Sequence, residues 1–204
     1  MIFWPALIAA LGALIAWVIW QHRSRRAYID GFEFPEALRM KFRERRPGLL
    51  PAQEGRVFEG LRQWFRVCHA AGGRRVSMPS QAVDDAWHAF ILFTRNYQLF
   101  CGKAFGRFLH HTPAEAMRTQ PDPTEGIRRS GRLACGLEGI DPRLPQRLPL
   151  LFALDMELGI SDGYRYSLNC APGSGTYCAG GIGCSSGCSS GCSGDGGGGG
   201  CGGD

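Results

Sequence analysis

The longest uninterrupted apolar stretch of the chain lies at its start. No charged residue occurs from Ile2 to Trp20, and at about 1.5 Å rise per residue a helix of this length roughly matches a 30 Å hydrocarbon core. Trp4, Trp17 and Trp20 mark the two ends of the stretch, where indole rings prefer the membrane interface. We therefore predict a transmembrane anchor over residues 1–21. A cleaved secretory signal is the alternative, but it requires small residues after the apolar run, where bulky apolar residues stand instead.

The charges that follow the apolar stretch predict its direction. Residues 21–75 carry 13 lysines and arginines against 6 acidic residues, whereas residues 76–204 carry 10 against 12. Because basic residues beside a span stay in the cytoplasm, we expect a single-pass protein with its N-terminus outside and its domain cytoplasmic. Residues 22–29 are predicted to be a basic juxtamembrane linker that meets the anionic headgroups of the bilayer. The lack of a recognisable DNA- or RNA-binding motif argues against nucleic acid as a partner.

Downstream of the linker, apolar residues recur every three or four positions, the period of a helix that is buried on one face. In the clearest of these stretches, over residues 51–71, the apolar side comprises Val57, Phe58, Leu61, Trp64, Phe65 and Cys68. Other helical stretches cover residues 34–46, 80–101, 124–136 and 145–158. Ser80 is expected to cap the 80–101 helix, which we predict to be the central one because it is the most apolar. Since no alternating strand pattern competes, we predict an all-α fold with one compact helical domain over residues 30–165.

The last part of the chain, residues 166–204, consists largely of glycine, serine and cysteine. Its backbone entropy is high and it offers little apolar surface to bury, so we predict a disordered tail. The most regular cysteines of the tail are Cys184, Cys188 and Cys192, which follow a C-x-x-x-C spacing. Thiolates are soft ligands for Cu(I) and Zn, but the paired C-x-x-C of a zinc ribbon is absent. A plain flexible tail, a metal-loading or redox-active tail, and a segment modified after synthesis are the alternatives.

A carboxylate and an imidazole share one face of the predicted 80–101 helix. Asp84 and His88 are four residues apart, and such a pair can bind a metal ion or share a proton. A zinc site needs at least three protein ligands, and His110 and His111, after a short link, could supply the missing ones. These four residues are our candidate metal ligands. The structural alternative is that Asp84 stabilises the start of its helix through the helix dipole while His88 hydrogen-bonds to the domain interior.

Three further cysteines, Cys68, Cys101 and Cys135, lie in the helical domain. In a reducing cytoplasm they are expected to be thiols rather than disulfides. Cys101 has no base beside it in the sequence that would make it a nucleophile. We therefore expect these cysteines to be packing residues.

Three stretches of the domain resemble a known family. They read VDDAWHAFILFTRNYQLFC over Val83–Cys101, GRFLHHTP over Gly106–Pro113 and RLPLLFALDMELGISDG over Arg147–Gly163. Together they are similar to the uncharacterised bacterial and plant glycine-rich-domain-containing proteins, over about residues 30–165. The residues that match the family pattern are Asp84, Trp87, His88, Tyr97, Cys101 and His111. The resemblance implies no catalytic role for any of them.

Two functional hypotheses follow from these features. The first is a membrane-anchored helical interaction or scaffold module with an unidentified protein partner, since the sequence contains an anchor, a basic segment and no recognised catalytic motif. The second is a thiol- or metal-handling membrane protein that binds Zn or Cu(I) through the tail cysteines, the histidine and aspartate cluster, or both. An enzyme is the third hypothesis, and it has no motif in its favour.

Overall fold

Most of the chain is helical. The structure is a computed structural model that describes residues 3–111, 123–168 and 177–178. Its helices are α1 (Phe3–Gly31), α2 (Glu36–Arg45), α3 (Pro51–Ala71), α4 (Gln81–Leu92), α5 (Thr94–Phe105), α6 (Pro123–Glu138) and α7 (Leu150–Glu157). Two short strands, β1 (Tyr166–Ser167) and β2 (Tyr177–Cys178), pair in parallel. The prediction of a mostly helical fold is confirmed.

The predicted tail is described only where it adjoins the domain. Tyr166 is 4% exposed, and its ring lies 4.8 Å from that of Phe152 on α7. The packed domain therefore extends at least one residue beyond the predicted boundary at 165. Cys184, Cys188 and Cys192 lie outside the described residues.

α1 is a single continuous helix of 29 residues. Residues 22–29, predicted to be a linker, form its last turns, because no proline or glycine interrupts the helix between Trp20 and Gly31. Ile29 is 1% exposed and anchors these turns in the core. The helix over Leu7–Gly31 is long and apolar enough to cross a membrane. The side chains from Leu7 to Trp20 are exposed, so the domain does not bury them.

α3 lies at the centre of the domain, where it packs against α1, α4, α6 and α7. Its apolar face is the one that the sequence periodicity predicts, and Val57, Leu61 and Phe65 on it are fully buried. The ring of Phe65 lies 4.7 Å from that of Phe100 on α5 and 6.2 Å from that of Phe90 on α4. α3 is thus the helix on which the others assemble.

The stretch 80–101, predicted to be one central helix, is divided into α4 and α5 at Phe93. The break lets Phe90 and Phe100, on the two helices, reach the same cluster of rings, where their centroids lie 5.4 Å apart. Ser80 caps α4 as predicted, since its Oγ accepts a hydrogen bond from the Val83 amide at 3.2 Å.

A buried carboxylate joins the start of α4 to α7. Asp155 is 2% exposed and accepts hydrogen bonds from Ser80 Oγ (2.6 Å) and from the amides of Gln81 (2.7 Å), Ala82 (3.2 Å) and Tyr164 (2.9 Å). The amides at a helix N-terminus favour a negative charge, and these bonds satisfy the carboxylate that the fold buries. The carboxylate therefore holds the first turn of α4 against α7.

Glycine at position 163 leaves room for this carboxylate. A Cβ atom there would lie 2.6 Å from Cβ and 2.9 Å from Oδ2 of Asp155. We expect Gly163→Ala to displace the carboxylate and lower the free energy of unfolding by about 1–3 kcal/mol. Heat or urea unfolding of the full chain in mild detergent, followed by circular dichroism, measures this.

The matched control for Gly163→Ala is Gly55→Ala, on the exposed side of α3, where an added Cβ meets nothing within 4 Å. Alanine is the better helix former, so this variant should gain up to about 1 kcal/mol. Equal changes in the free energy of unfolding for the two substitutions would show that the contact of Asp155 between α4 and α7 does not require glycine at position 163.

Near its end, α3 contacts the last turns of α1 through two imidazoles. The ring centroids of His69 and His22 lie 4.2 Å apart. Burial, together with smaller contributions from the neighbouring His22, Arg26 and Arg25, lowers the pKa of His69 from 6.5 to about 4. His69 is therefore uncharged in the folded protein at neutral pH.

This uncharged imidazole makes the domain sensitive to acid. As the pH falls from about 6.5 towards 4, the unfolded chain takes up a proton at His69 that the folded chain does not. The free energy of unfolding is therefore highest above pH 6.5 and falls as the pH drops through this window. The loss is only about 1 kcal/mol, because solvent screens the charge of a half-buried ring. Urea unfolding at a series of pH values, for the wild type and for His69→Asn, should show a smaller loss in the variant. Parallel curves would contradict the assignment.

Candidate metal centre

Three of the four predicted ligands lie together at the edge of α4. Asp84, His88 and His111 each offer one ligand atom, and these atoms all lie within 4.8 Å of one another. His111 Nε2 is 3.0 Å from Asp84 Oδ1, and His88 Nδ1 is 3.2 Å from Asp84 Oδ2. The centroids of the two imidazole rings are 4.2 Å apart. The fold thus places two imidazoles on one carboxylate.

Asp84 and His88 come together because they are one turn apart on α4. The Asp84 amide donates to Ser80 O at 3.0 Å, in the turn that Asp155 holds. His88 Nδ1 lies 2.9 Å from the backbone oxygen of Asp84 as well as near its carboxylate. Both partners are acceptors, so Nδ1 is the donor in these contacts. A metal-binding histidine commonly has its other nitrogen held in this way.

His111 reaches the cluster from the segment that follows α5. Tyr97 is 1% exposed, and its hydroxyl accepts a hydrogen bond from Trp87 Nε1 at 3.0 Å and donates one to Leu109 O at 2.5 Å. These contacts fix the backbone two residues before His111, whose ring packs edge-on against Trp87 at 4.7 Å.

His110, the fourth predicted ligand, does not join the cluster. Its side chain is exposed, and its ring lies 4.8 Å from that of Phe108. Of the two adjacent histidines, only His111 therefore faces Asp84. The sequence offers no signal that separates them, because the choice depends on how Tyr97 holds Leu109.

The cluster is sheltered but reachable from solvent. The side chains of His111 and Asp84 are 14% and 19% exposed, and that of His88 is 38% exposed. The neighbouring Asp85 takes no part in it, since its buried carboxylate pairs with Arg45 at 2.7 Å and Arg46 at 2.5 Å. Asp84 is thus the acidic residue of α4 that is left for the two imidazoles.

The three domain cysteines are buried, and none belongs to the cluster. Burial raises the pKa of the thiols of Cys68, Cys101 and Cys135, so they hold their protons at neutral pH. A protonated thiol is neither a good nucleophile nor a metal ligand. This matches the packing role predicted for them from the sequence.

Sequence reasoning predicted Ser80 as a cap and found Tyr97 in the family pattern, but it missed the contacts through which these residues and Asp155 support the cluster. Asp155, Ser80 and Tyr97 orient α4 and the segment before His111, yet Asp155 lies more than 70 residues from its partners at the start of α4. Its only sequence signal is an acidic residue directly after the apolar stretch Leu148–Leu154. That signal indicates burial with a partner but does not name the partner.

Comparisons with known proteins identify the family of the chain. Residues 24–185 match the family model described as UCP032817-like, and the chain belongs to this family. No curated protein and no solved structure matches it. The match confirms an uncharacterised family, while the likeness to glycine-rich-domain-containing proteins stays a prediction.

Proposed function

We propose that this chain is a membrane-anchored metal-binding protein, whose helical domain holds a divalent transition-metal ion at Asp84, His88 and His111. The observation that carries the proposal is the convergence of two imidazoles on one carboxylate from two separate parts of the chain. Two histidines and a carboxylate are a ligand set found in open zinc and iron(II) sites.

The spacing of the cluster fits an ion. Zinc lies about 2.0–2.1 Å from nitrogen and oxygen ligands, so two ligand atoms are about 2.9 Å apart in octahedral and about 3.4 Å apart in tetrahedral coordination. The 3.0 Å between His111 Nε2 and Asp84 Oδ1 lies in this range. His88 belongs to the same group, since all the ligand atoms lie within 4.8 Å of one another.

The ligand chemistry favours zinc over Cu(I) at this cluster. Imidazole and carboxylate suit Zn²⁺, whereas Cu(I) prefers thiolate and thioether sulfur. Three protein ligands would leave a coordination position for water or another molecule, and the 38% exposed side chain of His88 keeps the cluster accessible to solvent. Asp84 accepts a hydrogen bond from one nitrogen of each imidazole, and a metal ion at His111 Nε2 would require that nitrogen to give up its proton, to solvent or to Nδ1.

The membrane part of the proposal is supported by the length of α1. Its apolar part is exposed, and its last turns are packed in the domain as part of the same continuous helix. The basic residues that follow the apolar part favour an outside N-terminus and a cytoplasmic domain. The scaffold hypothesis would add a protein partner to this arrangement.

Zinc binding by purified protein tests the metal site. The full chain in mild detergent, stripped with a chelator, should bind one zinc ion per cluster, measured by competition with a zinc indicator and by mass spectrometry. Asp84→Ala and His111→Ala each remove a ligand. They should lower zinc affinity by more than about 100-fold, since changing a residue that only supports a ligand already costs about 10- to 100-fold.

Two controls make this result specific. His110→Ala removes the adjacent imidazole, which faces away from Asp84, and should leave zinc affinity unchanged. A variant with Cys184, Cys188 and Cys192 changed to serine should also keep the site. Loss of zinc in the cysteine variant but not in His111→Ala would move metal binding to the tail and refute the cluster, and so would a chain that binds no zinc.

The Tyr97 hydroxyl should matter for zinc binding because it positions the segment that carries His111. Tyr97→Phe removes the hydroxyl that holds Leu109 O while keeping the buried ring, so we expect zinc affinity to fall by about 10- to 100-fold. Tyr28→Phe, on the half-buried face of α1, is the matched control and should not change the affinity. If Tyr97→Phe lowers the unfolding temperature of the zinc-free protein without changing zinc affinity, Tyr97 is only a packing residue.

A further inference from the structure

The fold gathers basic side chains at the end of the domain from which the apolar part of α1 emerges. We call this surface the basic end and define it by Arg23, Arg25, Arg74, Lys103 and Arg107. Arg25 is half-buried and the other four are exposed. They come from α1, from the loop after α3 and from the end of α5, so the sequence alone does not bring them together.

Contacts between these segments place the basic end. His22 stacks near His69 at the end of α3, with ring centroids 4.2 Å apart. Arg25 donates a hydrogen bond to Phe105 O at 3.0 Å, at the end of α5. A Cβ atom on Gly73, beside Arg74, would lie 3.3 Å from the guanidinium of Arg107.

Lys103 and Phe108 extend this surface. Lys103 Nζ lies 5.6 Å from the ring centre of Tyr28 on α1. Phe108, 43% exposed, follows Arg107 on the same segment. An exposed aromatic ring beside basic residues is typical of a membrane interface. The surface thus combines cations with a ring suited to the headgroup region.

The described segments that form the basic end carry no acidic residue. Residues 22–29, 67–80 and 102–111 contain no aspartate or glutamate. The nearest carboxylate along α1, Asp30, is held by Arg26 at 3.1 Å and Arg66 at 2.7 Å. At the edge of the surface, Glu125 of α6 pairs with Arg129 at 2.8 Å. The positive charge of the surface is therefore not cancelled from within these segments.

We propose that the basic end rests on the bilayer and binds anionic phospholipid headgroups, so that the domain has a fixed orientation on the membrane rather than hanging from its anchor. The inference rests on the proposed membrane anchoring by α1. The bilayer is favoured over nucleic acid because the apolar helix leaves the domain through this surface, next to His22. Basic side chains so close to a charged leaflet bind its anionic lipids, and added salt weakens the attraction.

Hydrogen exchange of the full chain in vesicles tests the proposal. One vesicle contains only phosphatidylcholine, and the other also contains phosphatidylglycerol. We expect amides of residues 73–75 and 103–109 to exchange several-fold more slowly in the anionic vesicles, and this difference to disappear at high salt. Equal exchange in the two lipids overturns the proposal, and so does protection by a single-stranded RNA in detergent that the anionic vesicles do not provide.

Charge reversal gives a second, independent readout. Lys103→Glu with Arg107→Glu should abolish the lipid-dependent protection. The control, Arg95→Glu with Arg165→Glu, makes the same change in charge at exposed residues away from this surface, Arg95 being at the opposite end of α5, and should keep it. Equal loss in both variants would show a net-charge effect and overturn the proposal. The comparison of lipids in the wild type decides the matter even where a variant fails to fold.

An alkaline carbonate wash separates this inference from the proposed anchor. Release of the chain from the vesicles would refute the anchor and with it the basis of the inference. A chain that resists the wash but shows no lipid-dependent protection keeps its anchor and loses the lipid contact. Zinc binding, measured in detergent, is independent of both outcomes.

Discussion

The buried carboxylate of Asp155 is the contact on which the geometry of the domain depends. It takes the place of the missing hydrogen-bond acceptors at the start of α4, and it also receives the Tyr164 amide from the turn after α7. Removing a charged group from water is costly unless its hydrogen bonds are replaced. Four protein donors replace the lost hydrogen bonds to water here, so the start of α4 has one position relative to α7. The side chains of the next turn of α4 are placed accordingly.

Two adjacent acids on that turn serve different parts of the molecule. Asp85 points into the domain, where Arg46 joins it to Asp162 in the loop after α7, with the guanidinium 2.6 Å from the Asp162 carboxylate. These hydrogen bonds raise the pKa of Arg46 and lower that of Asp162. Asp84, one position earlier, faces the histidines instead. Since consecutive residues on a helix are 100° apart, structural pairing by one acid leaves the other free for the cluster.

Periodicity predicted what depends on local sequence, and failed where distant contacts decide. The apolar face of α3 and the Ser80 cap follow from spacing and residue type, and the structure confirms both. The single helix predicted for 80–101 was wrong at Phe93, because the break there lets rings of α4 and α5 pack together with Phe65 of α3. The pair of Asp84 and His88 was visible as a four-residue spacing. Which of the next two histidines joins it depends on the Tyr97 hydroxyl, a contact that no local pattern encodes.

The segment from Phe105 to His111 links the two ends of the domain. The Phe105 carbonyl accepts a hydrogen bond from Arg25 of α1, and the Leu109 carbonyl accepts one from the Tyr97 hydroxyl. The last residue, His111, contacts Asp84. A short segment tied at both ends has few conformations, so a shift at Phe105 must be absorbed before His111 or transmitted to it. Binding free energies at two linked sites act on each other equally. If the proposed metal and membrane sites are linked through this segment, any influence of the bilayer on metal binding would be matched by an influence of the metal on the membrane contact, with Tyr97 holding the backbone between them.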